Sequence, residues 1–360
     1  MLKPRQIDFL PSRIAIFDHE EYLFFSGTAY LGIGHQPLFR DALMQGIDRY
    51  GTVFSASRNN NLQLKIYEEA EDFFAKWTHA EAALTLSSGL LAGQLAVHFL
   101  KEKHFIYAPS THPALWNDTP QYIFENQQNF EKRIVEEVEK QQNKSIVIAT
   151  NTIDMLTCQT YNFNWIAQLP DNQDITLLID DSHGIGITGE KGSGIFKKIK
   201  YLVKSNIKII VIASLAKALG LPGGVILSDK LTIKHIRQNP LFVGASPIIP
   251  AYLYAFLKTQ NMYENIRQIL FNNIHFFKNM MKNSLYTEGV HFPIFQTPLD
   301  VYPVFYTSDN NIYMHLFKQK IFISHFAYPK PSDPPITRII LSALHSESDI
   351  LQLHNALKSS

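Results

Sequence analysis

Short apolar runs punctuate the middle of this chain: AALTL (82–86), HFIYA (104–108), IVIAT (146–150), TLLID (176–180), KIIVIAS (208–214) and VILS (225–228). Such runs fit strands buried on both faces, and the segments between them carry helical spacing or polar loops. This alternation predicts an α/β fold with helices on both faces of a mostly parallel sheet. Upstream, a strand-like piece (YLFFSG, 22–27) precedes a helix expected from Pro37 to near Gly51, with Leu38, Phe39, Leu43 and Ile47 on one face. The stretch LQLKIYEEAEDFFAKW predicts a second helix whose packed face is Leu62, Ile66, Ala70, Phe73 and Trp77. Residues 126–144 are a mainly polar stretch and read as a solvated outer crossover helix.

Beyond residue 228 the pattern changes. Helical stretches at 249–283, a strand at 300–306, a helix at 310–319 and the strand ITRIILSAL predict a smaller α+β domain. The expected division is an N-terminal segment (1–45), a large domain (46–228) and a small C-terminal domain (229–360). A chain of 360 residues with 46% hydrophobic content has ample material for the large core this requires.

Charge narrows the possible partners. Lys plus Arg (33) nearly cancels Asp plus Glu (32), and no like-charge block stands out, which argues against nucleic acid or an anionic membrane and for small ligands. The single Cys158 excludes an internal disulfide and a cysteine-based metal cage, in keeping with a reducing, cytoplasmic location. Neither a signal core in MLKPRQIDFLPSR nor an apolar run of spanning length is present, so neither export nor membrane insertion is expected.

Candidate chemistry centres on VIASLAKALGLPGGVIL (211–227), where one cation, Lys217, stands in small and apolar company before the Gly223–Gly224 turn. Apolar surroundings disfavour an ammonium, and Schiff-base chemistry with a carbonyl needs the neutral amine. Read in isolation, a lysine is more often a surface charge. The strand, small-residue turn and helix of AALTLSSGLLAGQLAVHFL form a candidate anion site, because unpaired N–H groups and the helix dipole converge at Ser88, Gly89 and Leu90. LLIDDSHG ends a strand on Asp180, whose bland reading is a loop cap. Gly184, Gly186 and Gly189 satisfy G-x-G-x-x-G, but the first glycine does not follow the strand directly and EKGSG opens no helix, so the dinucleotide fingerprint fails its context.

Taken together, SLAKALGLPGG, LLIDDSHG and TRIILSALH resemble the α-oxoamine synthases, pyridoxal-phosphate (PLP) enzymes that join an amino acid to an acyl-CoA thioester. The resemblance implies the fold type I PLP transferase architecture, a seven-stranded type of sheet, and a homodimer with a shared site. It implies that Lys217 binds the cofactor, that Asp180 faces the pyridine nitrogen, and that His183 reaches the phenolic oxygen. His112, in PSTHPALWND, matches the histidine that stacks on the ring. Ser88, Gly89, Leu90 and Ser214 match phosphate contacts, and Arg338 matches the arginine that grips the amino-acid carboxylate.

Departures from the family pattern are equally specific. Thr28 and Ala29 stand where asparagine is common, and Val53, Phe54 and Ala56 replace glycines of a flexible segment. Met155 and Thr157 fall where a serine and an aspartate are expected, and Gly244 replaces a cross-subunit threonine for which Ser246 is a candidate substitute. The motifs align most easily with the 8-amino-7-oxononanoate synthase branch. Two other classes stay open at this point: another enzyme of the same cofactor fold, such as an aldolase or aminotransferase, and a catalytically silent binding protein.

Overall fold

The computed structural model describes residues 5–154, 156, 161–285, 295, 302–328 and 330–358. The altered turn at Met155 and Thr157, Cys158 and the first residues of the strand expected at 300–306 lie outside them. The chain divides into two compact units, one of residues 1–35, 155–159 and 261–360, the other of residues 36–154 and 160–260.

In chain order the strands are β1 (Ile14–Phe17), β2 (Glu20–Phe25), β3 (Ala82–Leu86), β4 (His104–Tyr107), β5 (Ile146–Asn151), β6 (Ile175–Asp180), β7 (Ile207–Ser214), β8 (Gly224–Ser228), β9 (Val304–Thr307), β10 (Ile321–Ala327) and β11 (Pro335–Ile340). The larger unit holds a six-stranded sheet in the order β3-β8-β7-β6-β5-β4. β4 to β7 run parallel, and β8 is antiparallel to both of its neighbours. Among the described residues this is one strand fewer than the seven-stranded type expected. β6 is buried along its whole length and β5 and β7 along most of theirs, because both faces are covered. Leu84, Ile212 and Ile226 pack with Leu95 and Ala96 of the helix Gly89–Leu100 into one core.

That core also takes in Ile233, Ile236 and Phe242. The expected boundaries at 45 and 228 therefore differ from the observed ones: residues 229–260 belong to the larger unit and residues 1–35 to the smaller. The reason is pairing and packing rather than position in the chain. Ile233 and Ile236 line the buried face of the helix Lys230–Arg237, while β2 hydrogen-bonds in parallel to β10.

The smaller unit is a five-stranded sheet in the order β1-β2-β10-β11-β9. Near its β2 end His345 is buried. Its Nδ1 accepts from the Ser342 N–H at 3.0 Å, its Nε2 donates to the Phe24 carbonyl at 3.0 Å, and its ring stacks on Phe25 with centroids 4.1 Å apart. Burial pushes this imidazole down to about 4, so the side chain works as a neutral two-ended brace.

Two predicted helices form where expected, with part of the predicted face buried in each: Phe39 in the first, Ile66 and Ala70 in the second. The first runs from Pro37 to Tyr50, and the Gly51 N–H closes it on the Ile47 carbonyl. Its buried positions are Phe39, Ala42 and Gly46, whereas Leu38 is 66% exposed. A Cβ on Gly46 would lie 2.7 Å from the Ala251 carbonyl oxygen, so this helix lies backbone-close to the helix Pro250–Lys258. The second covers Lys65–Thr78 and leaves Leu62 outside and exposed. Its buried face includes the acid Glu71, which pairs with Arg58 at 2.9 Å and with Arg237, and accepts from the Thr85 N–H at 2.8 Å.

Candidate active site

The carboxyl ends of the parallel strands bring one set of polar side chains to a single edge of the larger sheet. The register aligns Asn151 of β5 with Asp180 of β6, and Ser214 of β7 with Gly224 of β8, which in turn faces Leu86 of β3. Loops leaving these ends carry His112, Asp180–His183, Lys217 and Ser88–Leu90. Ligands of open α/β sheets gather at this edge because the turns leave backbone groups and side chains uncommitted there.

Lys217 lies in a turn closed by three backbone hydrogen bonds, Leu215 N–H to the Gly223 carbonyl (2.9 Å), Leu221 N–H to Leu215 (3.0 Å) and Gly223 N–H to Leu221 (2.7 Å). Leu215, Ala218 and Leu219 around it are buried, while the lysine is half-buried. Its Nζ is 2.7 Å from Nε2 of His183. Asp180 is 7% exposed; its Oδ1 accepts from the Ser182 N–H at 2.8 Å, and its Oδ2 is 3.7 Å from Nδ1 of His112.

The His112 nitrogen is itself an acceptor. Its Nδ1 takes the Ala114 N–H at 3.1 Å, which places the proton of a neutral ring on Nε2. Burial lowers the pKa of this imidazole; Asp180 pulls it back up and Lys217 pushes it further down. Both Asp180 and Lys217 therefore act on one ring, and the three groups share a neighbourhood. Asp180 Oδ2 makes no hydrogen bond among the described residues, so a largely buried carboxylate oxygen awaits a donor.

The SSG turn opens a helix with a serine cap. Ser88 caps the helix Gly89–Leu100: its Oγ accepts from the Leu91 N–H at 3.1 Å and its carbonyl from Ala92 at 3.1 Å. The N–H groups of Gly89 and Leu90, the first of the helix, point outward at the positive end of its dipole. Gly89 is required here, because a Cβ would lie 2.6 Å from Cβ of Ser214. The Leu90 side chain is 59% exposed and contributes through its backbone.

Several residues at this edge escaped sequence reasoning. Ser182 is buried and joins two parts of the site, donating its N–H to Asp180 and accepting the Ser214 N–H on Oγ at 2.8 Å. Asn151 clamps the loop of His112, with Nδ2 donating to the Ser110 carbonyl (2.7 Å) and Oδ1 accepting from the His112 N–H (3.1 Å). Ser110 sits at φ +57°, a left-handed backbone that such a clamp helps to hold. Nothing in the sequence pattern marks either residue, because a serine after two acids and an asparagine at the end of a strand are ordinary there.

Arg338 belongs to the smaller unit. It is 6% exposed on β11, opposite Ser324 of β10 and Tyr306 of β9, with its guanidinium 5.2 Å from the Phe326 ring centroid. Gly244 and Ser246 are both exposed after the helix Pro240–Val243. Among the described residues no group of His, Cys, Asp and Glu has the geometry of a metal site, and no helix is long and apolar enough to cross a membrane.

Comparison with known proteins finds chains of similar sequence and fold. Proteins named 8-amino-7-oxononanoate synthase from Petrotoga mobilis and Fervidobacterium nodosum are 26% and 27% identical over 336 and 338 residues, in each case 89% of this chain and 84% of the relative. A solved serine palmitoyltransferase of Sphingomonas wittichii superposes with a TM-score of 0.82 at 17% identity, covering 99% of this chain and 91% of that one. An 8-amino-7-oxononanoate synthase from Francisella tularensis gives 0.70 at 20% identity, over 94% and 97%. The family model for aminotransferase class I and II matches residues 25–357, and the chain belongs to that family.

Proposed function

We propose that this chain is a pyridoxal-phosphate-dependent C-acyltransferase of the 8-amino-7-oxononanoate synthase type, condensing a small amino acid with an acyl-CoA thioester. The observation that carries the reading is the Lys217–His183 contact of 2.7 Å beside a carboxylate, Asp180, whose Oδ2 faces the site without a hydrogen bond among the described residues. The curated relatives bear the synthase name, and solved structures of the same fold carry PLP in their titles.

The residues fit that cofactor by their donor chemistry. Lys217 would tether it through Nζ, the N–H groups of Gly89 and Leu90 with the hydroxyls of Ser88 and Ser214 would take the phosphate, and Asp180 would accept a pyridinium N–H. When bound, PLP supplies an electron sink for the pair released as the Cα proton leaves. Lys217 Nζ, as a free amine, would be the base that takes that proton. His183 Nε2, 2.7 Å from Nζ, would hold the amine, and His112, beside Asp180, would line the cofactor site. Arg338 takes the substrate carboxylate in a bidentate fork.

We also infer a homodimer, in which exposed Ser246 takes the phosphate-contacting role of the replaced threonine, and residence in the cytoplasm, in keeping with a single cysteine and balanced charge. The test of the chemistry is direct. Purified protein incubated with PLP gains the absorbance of a lysine-bound cofactor, and a panel of amino acids with acyl-CoAs releases free thiol. Lys217→Ala loses the covalent absorbance and lowers thiol release by at least about a hundredfold. Colourless wild-type protein makes this a silent binding protein, and amino-acid turnover without thiol makes it a different enzyme of the fold.

A further inference from the structure

The loop that carries His112 is held by its backbone on both sides of the histidine. Ahead of it, Asn151 at the end of β5 donates Nδ2 to the Ser110 carbonyl at 2.7 Å and accepts the His112 N–H on Oδ1 at 3.1 Å. Trp116 Nε1 donates to the Thr111 carbonyl between them at 2.8 Å. Behind the histidine, Gln94 of the helix Gly89–Leu100 turns its amide Nε2 toward the carbonyls of Ala114 at 3.1 Å, Trp116 at 3.2 Å and Pro113 at 3.4 Å. Packing is backbone-close there, since a Cβ on Gly93 would lie 2.4 Å from the Ala114 carbonyl oxygen.

This grip decides what the near nitrogen of the ring does. With the loop fixed, the Ala114 N–H occupies the lone pair of Nδ1 from 3.1 Å. Asp180 Oδ2 lies 3.7 Å from the same nitrogen, just beyond hydrogen-bond reach. A ring that let go of Ala114 and gained a proton on Nδ1 would close that gap as an ion pair. Strand register sets how near the two stand, because Asn151 and Asp180 are partners across β5 and β6. Burial is the largest influence against the imidazolium; Asp180 favours it, and Lys217, 2.7 Å from His183, opposes it.

We infer that Asn151 and Gln94 are positioning residues, whose hold on the loop keeps His112 neutral and off Asp180, so that the carboxylate stays available to the cofactor nitrogen. The inference rests on the role given to Asp180 under the proposed function. Without the hold, a charged His112 competes with a pyridinium N–H for one oxygen and repels its positive charge as well.

The experiment reads His112 in cofactor-free protein by NMR of isotope-labelled histidine, assigned by its loss in His112→Phe, and PLP affinity from cofactor absorbance at about pH 6 and about pH 8.5. Wild-type His112 should show the Nε2–H tautomer and a pKa below the ordinary histidine value. In Asn151→Ala that pKa should rise by at least about one unit. The ratio of variant to wild-type PLP dissociation constants should be less than about twofold at the higher pH and reach about tenfold at the lower, where roughly nine rings in ten are charged if the pKa is about 7. Taking the ratio cancels titration of the cofactor itself. Gln94→Leu, which frees the loop from the other side, should shift both readings in the same direction. In a His112→Phe background, Asn151→Ala should add no pH-dependent loss. An unchanged pKa and tautomer in both variants, a ratio equal at the two pH values, or a pH-dependent loss that survives His112→Phe overturns the inference. Wild-type protein that binds no PLP overturns the functional reading and the cofactor half of the inference with it, while the NMR readings still decide whether the clamp holds the ring.

Discussion

Asp181 illustrates how one buried residue organises its surroundings. Its Oδ2 accepts from the Ile195 N–H at 2.9 Å, and the loop between them folds back around the carboxyl group. A Cβ on Gly184 would fall 2.0 Å from Oδ1, and one on Gly194 would fall 2.1 Å from Oδ2. Gly184, the first glycine of the failed dinucleotide pattern, therefore makes room for an acid rather than a phosphate, and Gly194, outside the pattern, does the same. Burial raises this carboxyl to about 7, against the hydrogen bond from Ile195. The folded state consequently binds a proton that the unfolded chain has lost. The associated stability is present in full below about pH 4 and disappears as pH rises to 7. Urea unfolding at pH 5 and pH 8 should show the wild type losing a few kcal/mol more across that interval than Asp181→Asn, which keeps the acceptor and cannot ionise. Equal pH dependence in the two proteins would rule the account out.

At the scale of elements, the period of a helix was readable but only part of its buried face was. Phe39 sits where expected, yet Gly46 rather than Ile47 faces the neighbouring helix, since that approach is set by the backbone of Ala251. Glu71 breaks the apolar pattern of its helix for a comparable reason: two arginines from distant segments, Arg58 and Arg237, meet it only after folding. Arg58 is also over the Tyr67 ring, 4.1 Å from its centroid, and like Glu71 is nearly inaccessible. Glu71→Ala strands the buried guanidinium of Arg58 and should cost about 3–5 kcal/mol in urea unfolding. Removing Arg58 together with Glu71, as Arg58→Met with Glu71→Leu, should recover most of that loss, because desolvated charge is the larger part of it. A double variant as unstable as the single one would refute this.

For the whole molecule, the proposed cofactor and partner make a joint prediction. Light scattering should report the mass of two chains, and PLP should raise the unfolding temperature of the wild type in a concentration-dependent way, as any ligand of the folded state does. Ser246→Ala should release the cofactor faster on dialysis while leaving the dimer intact. A monomer with full PLP retention would remove the cross-subunit role of Ser246.

The sequence by itself determined the six strands of the larger sheet and marked candidate residues at their ends, whereas β1 and β10 were not foreseen. Period, turn residues and the company of Lys217, Asp180, His183 and Arg338 are local properties, and the strand runs at 82–86, 176–180 and 208–214 recur in the fold almost residue for residue. Tertiary structure alone decided which segments share a unit, which helix face is buried, and which bystanders such as Ser182 and Asn151 support the residues predicted to act. Hydrophobic period is written within a few neighbouring residues. A hydrogen bond between Asn151 and the loop of His112, or between Ser26 and Ser324, joins positions far apart in sequence and exists only once strands have aligned them.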